Sequence, residues 1–110
     1  MSLVMHLYYT GKEGSALRFA KEMEESGVAA EIRSEDGNVK YEYYPSLSDP
    51  ETVLLIDEWR DQEALDIHHA SPAMGKIMAL REKYDLHMKA ERLVTDEEGL
   101  PGKDQAFIRK

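Results

Sequence analysis

With 110 residues, 42% of them hydrophobic and 33% charged, the chain has the size and balance of one ordinary soluble globular domain rather than a disordered segment. A net charge of −8 and the lack of any basic run exclude nucleic acid and anionic membrane surfaces as general partners. Cysteine is absent, which rules out disulfides, thiolate metal sites and a cysteine nucleophile, and fits a reducing compartment.

The opening MSLVMHLYYT lacks the charged and apolar regions of a signal peptide, and no apolar run is long enough to span a bilayer. This reads as a cytoplasmic protein. Leu3 to Tyr9 alternates as a first strand, with Leu3, Met5, Leu7 and Tyr9 on one face and Val4, His6 and Tyr8 on the other. Both faces are largely apolar, so cover on both sides is expected. Gly14-Ser15 opens a helix in which Ala16, Phe19, Ala20, Met23, Gly27 and Ala30 recur at helical steps. The unbroken phase predicts one helix to about Arg33, with a break at Ser26-Gly27 as the alternative. Residues 34–38 form a turn in which Gly37 or Asn38 takes positive φ.

Val39 to Tyr44 reads as a second strand, with Val39, Tyr41 and Tyr43 sharing a face, and Thr52 to Trp59 as a third. The connection between them is too short for a crossover helix, so the two pair antiparallel. Asp61 caps a short acidic helix, and Ser71-Pro72 restarts the chain as another. In that second helix Met74, Ile77, Met78 and Arg81 form one stripe. Leu86 to Val94 supplies the last strand. Residues 1–94 thus read as one domain, and 95–110 as a polar extension ending in an apolar Ala-Phe-Ile, a candidate arm onto a second subunit.

The order β-α-β-β-α-β predicts an α+β, ferredoxin-like domain, with a four-stranded antiparallel sheet carrying its helices on one face. The bare face, with Tyr44, Leu54 and Ile56, is too apolar to stay wet, so two copies are expected to pack sheet to sheet. A chain this small has little room for an internal cavity, which also favours a homodimer.

The stretch from Asp57 to Met74, DEWRDQEALDIHHASPAM, resembles the hallmark of the antibiotic biosynthesis monooxygenase superfamily. There an acid, a Trp, an acidic helix start, Glu-Ala-Leu, a His and Ser-Pro follow at this spacing. The likeness also takes in the turn and strand EDGNVKYEYY, residues 35–44, and runs to about Leu93. It implies a dimeric α/β barrel and a cofactor-independent monooxygenase acting with molecular oxygen on a small quinol- or anthrone-like aromatic. Asp57 stands where the family usually has the longer Glu. Trp59 matches the pocket aromatic and His68 the family His. Haem-degrading relatives carry an Asn and a His where this chain has His6 and Met78, which counts against haem. An isomerase on the same scaffold, or a non-catalytic ligand-binding protein, are the other readings.

Such an oxygenase needs a base that titrates near neutral pH, a dry aromatic pocket and donors for a developing anion. His68 is the expected base, with Asp57 orienting it; the structural alternative is a His that packs or caps. Trp59, His6, Tyr8, Tyr41, Tyr43, Met74 and Met78 are the expected substrate-binding residues, aromatics for hydrogen bonds or walls and methionines for an adaptable lining. Trp59 and His68 are expected to point into an apolar cavity beneath the helices. No metal site is expected, since the adjacent His68 and His69 diverge on a helix and His87 stands alone.

Overall fold

Strand β3 (Thr52–Trp59) alternates along its whole length. Val53, Leu55, Asp57 and Trp59 are buried, whereas Leu54, Ile56 and Glu58 between them are half-exposed. That period of two gives the sheet a covered and an open side. In the computed structural model, which describes residues 1–110, β3 lies at the middle of a four-stranded sheet of order β2-β3-β1-β4. The flanking elements are β1 (Leu3–Thr10), β2 (Asn38–Pro45) and β4 (His87–Val94), every pairing antiparallel. Four helices, α1 (Ser15–Glu25), α2 (Val28–Arg33), α3 (Gln62–His69) and α4 (Pro72–Lys83), supply the cover, and a short α5 (Gly102–Gln105) follows in the tail. The α+β, ferredoxin-like expectation therefore holds; the sheet is open rather than closed into a barrel.

The core is made by Leu3, Leu7 and Tyr9 of β1, Phe19 and Met23 of α1, and Ile77 of α4, packed on the β3 row. Each large apolar side chain buried here contributes on the order of 2–3 kcal/mol. Tyr9 and Phe19 rings meet at 5.0 Å, and Phe19 meets Tyr43 edge-on at 6.0 Å.

Three local expectations are corrected. The first helix does not run to Arg33: it ends at Glu25, because Gly27 takes φ 87°, a left-handed value that stops one helix and caps the next. Val39 does not share the face of Tyr41 and Tyr43, since a register shift between Asn38 and Lys40 bulges the strand and leaves Val39 exposed. Met78 is not inside the helix stripe; α4 buries Ala73 and Ile77 and turns Met78 outward at 56% exposure.

Strand β4 pairs with β1 along its length yet is exposed at all eight residues, because no helix lies over it. The extension begins at Thr95, tied by its backbone N–H to the Ser2 carbonyl at 3.1 Å, and is exposed apart from Thr95 itself.

Candidate active site

The turn after α2 sets one end of the site. Gly37 has φ 86°, and its carbonyl accepts the Arg60 backbone N–H at 2.7 Å. A Cβ at Gly37 would lie 2.5 Å from the Cβ of Ala64, so only glycine lets this turn press onto α3. Glu35 is carried with the turn. Its carboxylate lies 3.0 Å from Nδ1 of His68, whose side chain is 4% exposed. His68 is aimed by its own helix: Asp61 accepts the Ala64 N–H at 2.9 Å and fixes the start of α3. At the other end Ser71 occupies the cap position of α4 but turns back, its hydroxyl donating to the His68 carbonyl at 2.7 Å.

The imidazole of His68 stacks on the Trp59 indole, ring centres 4.6 Å apart and planes 25° from parallel. The indole N–H donates to Asp57, two residues earlier on the same face of β3. The order is thus Glu35, His68, Trp59, Asp57, and the last three are buried. Asp57 was expected to orient His68, but its partner is Trp59; the orienting carboxylate is Glu35. Residues i and i+2 of a strand sit side by side, while His68 approaches the indole from above.

Burial pushes the Asp57 carboxyl up to about 7, helped by Glu35 and opposed by the Trp59 N–H and by Arg81. Burial pushes the His68 imidazole below its ordinary value, with Glu35 pulling the other way. The two groups flank one indole, His68 favouring its neutral form and Asp57 poised between acid and base near neutral pH. Environments that give neighbouring titratable groups separate roles are the usual setting for proton-transfer chemistry.

The polar seam continues past Asp57. Tyr41 is buried and shares a hydrogen bond with Tyr43, hydroxyl oxygens 2.8 Å apart. Burial raises both phenols above their ordinary value, so both stay neutral. Tyr9 accepts from Arg81 through Nη2 at 2.8 Å and Nε at 3.2 Å.

His68, Asp57, Trp59, Tyr41 and Tyr43 therefore gather on the covered side, and Met74 packs against the same core. His6 and Tyr8 do not join them. They project from the other side of β1, His6 with Nδ1 3.7 Å from Glu91 and Tyr8 beneath the Lys89 ammonium. The cavity expected at Trp59 and His68 is absent; both are closed in by packing. One hollow, about 250 Å³, lies between α1 and the strands, against Leu17, Ala20, Tyr43 and Val53. Another, about 550 Å³, lies on α4 and touches Met78, Arg81 and Leu86. Sequence reasoning missed Glu35, Tyr9 and Arg81 as members of the seam. Arg81 carried a signal, a cation on the apolar stripe of α4; Glu35 had none.

Residues 2–80 match the sequence profile of the antibiotic biosynthesis monooxygenase family. The chain belongs to that family. No curated protein matches it significantly in sequence. Among solved structures, it is similar to a conserved protein from Methanosarcina mazei Go1, with a TM-score of 0.75, 21% identity and coverage of 87% of this chain and 94% of that one. It is similar to PA3566 from Pseudomonas aeruginosa, with a TM-score of 0.73, 23% identity and coverage of 86% and 93%. A variant of SnoaB, a cofactor-independent oxygenase from Streptomyces nogalater, aligns with a TM-score of 0.70, 15% identity and coverage of 86% and 92%. At these identities the likeness establishes the family fold.

Proposed function

We propose that this family member is a cofactor-independent monooxygenase acting on a small quinol- or anthrone-like aromatic. The observation that carries the reading is the run Glu35, His68, Trp59, Asp57, its last three members buried, in which a carboxyl poised near 7 sits against an indole in a closed, aromatic interior. Asp57 takes the proton that makes the substrate an electron-rich anion, a step in which the packing over Trp59 and His68 parts to admit the substrate, since no hollow reaches the carboxyl in the resting fold. His68, fixed by Glu35, holds the indole and stays neutral, a second site for a proton.

The anion reduces oxygen itself. Carbon donates electrons to O₂, the resulting peroxide takes the first proton back from the base to become a carbon-bound hydroperoxide, and its O–O bond breaks as the freed base removes the second proton from the same carbon. One oxygen atom remains on carbon as a carbonyl and the other leaves as water. The protonated base returns its proton to the departing oxygen, so the protein ends unchanged. Burial strengthens each electrostatic contact to the developing charge.

On the open side, Val4, Tyr8, Tyr44, Leu54 and Ile56 are half-exposed and Leu93 is exposed. This apolar surface supports a homodimer packed sheet to sheet, with His6 and Tyr8 at the contact. Residues 95–110, with Leu100, Phe107 and Ile108 uncovered, are read as an arm onto the second copy. A chain ending at residue 94 should dimerise more weakly in sedimentation analysis; unchanged association would remove the arm.

The test is anthrone oxidation under ¹⁸O₂. One labelled oxygen in the product carbonyl supports the reading. Solvent-hydrogen exchange or isomerisation of the substrate under strict anaerobiosis, with no oxygen consumed in air, would instead establish a proton-transfer enzyme.

A further inference from the structure

The hollow on α4 and the seam meet at one residue. Arg81 is half-buried and makes no ion pair, in a chain with 22 acidic residues against 14 basic ones. Its Nε and Nη2 are spent on the Tyr9 hydroxyl. Its Nη1 meets only the Met78 thioether sulfur, at 3.7 Å, a weak acceptor. A guanidinium has five N–H donors, so this one retains donors for a ligand. The adjoining space of about 550 Å³ is bounded by Met78, Ala79 and Leu86 on its apolar side and by Glu82 and Asp85 on its acidic side.

We propose that this hollow is an aromatic-anion site, in which Arg81 Nη1 receives a phenolate oxygen while the ring lies against Met78 and Leu86. The proposal rests on the oxygenase reading and deepens it, since it names where the substrate's charged oxygen is held. The Tyr9 hydroxyl fixes the guanidinium, so that its remaining donors are already aimed when the ligand arrives. The apolar side formed by Met78 and Leu86 suits an aromatic ring, and a phenolate is the aromatic anion that the oxygenase reading supplies. Glu82 and Asp85 repel anions and set a threshold, so that a ligand must also bring apolar area to bind.

The probe is 4-nitrophenol, whose phenolate absorbs at longer wavelength than the phenol, titrated into the full chain without oxygen. The expected result is growth of the phenolate band on binding, with affinity falling at least about tenfold in Arg81→Met and by less in Arg81→Lys, which keeps the charge. The double variant Glu82→Gln/Asp85→Asn, at exposed positions, should bind the probe roughly two- to threefold more tightly, as removal of nearby like charge requires. Equal affinity in wild type and folded Arg81→Met would overturn the site, as would an unchanged affinity in the double variant. Benzoate binding as tightly as the phenolate would overturn the phenolate assignment. Because binding needs no turnover, loss of this site with oxygen uptake intact removes Arg81 alone, whereas probe binding without any oxygen uptake removes the oxygenase reading.

Discussion

The two sides of β1 and β3 carry residues of the same kinds and do different things with them. On the covered side, Asp57, Trp59 and His68 are buried and satisfied by one another and by Glu35. On the open side, His6 and Tyr8 face Glu91 and Lys89, groups that are themselves wet. Burial is the largest influence on both Asp57 and His68, so on the covered side neighbouring groups are set for proton transfer. The open side has the apolar area that suits a partner surface instead.

The widest separation between the sides should come from truncating one aromatic on each. Trp59→Ala is expected to cost about 3–5 kcal/mol in urea unfolding, since it empties a fully buried indole site and strips Asp57 of its donor. His6→Ala, on the open side, should stay within about 0.5 kcal/mol.

Asp57→Asn sharpens the comparison through pH. The Asp57 carboxyl is raised to about 7 in the fold, so the folded state holds its proton more tightly than the unfolded chain. The stability this confers is complete below the unfolded value near 4 and is lost as pH rises through about 7. The asparagine variant removes that loss. It should unfold later than wild type at pH 8, by on the order of 2–3 kcal/mol, and gain nothing at pH 4. His68 acts in the opposite direction. Its depressed value means that acid forces a proton onto a group the fold prefers neutral, so its contribution falls as pH drops below its unfolded value.

Ile56→Lys addresses the open side directly. It should convert a dimer to monomers in sedimentation analysis while costing the monomer less than about 1 kcal/mol, because Ile56 is only half-buried. On the covered side, Tyr43→Phe leaves the Tyr41 hydroxyl without its partner and should cost about 1 kcal/mol in thermal unfolding.

The division into two sides was largely legible in the chain. The bounds of β3, the antiparallel pairing forced by a short connection, the Asp61 cap and the Ser71-Pro72 restart are local signals, and each appears where it was read. What escaped was non-local. Glu35 reaches His68 across 33 positions only because a glycine turn packs against α3. The expected role for Asp57 failed for the same reason: which carboxylate meets the imidazole is decided by packing, not spacing. The stripe of α4 was drawn one residue too wide: it took in both Ile77 and Met78, and sequence alone does not say which of two adjacent apolar residues faces the sheet. Arg81 lay on the expected stripe, but its hydrogen bonds to the Tyr9 hydroxyl, 72 positions away, carry no local signal.

The pH dependence of oxygen uptake, measured as kcat/KM for an anthrone in wild type and Asp57→Asn, tests the central claim most directly. A base must be deprotonated to work, so the wild-type rate should climb through a step near pH 7, and the variant should lose that step together with at least about 100-fold of its rate. Matching profiles in the two proteins would contradict the account.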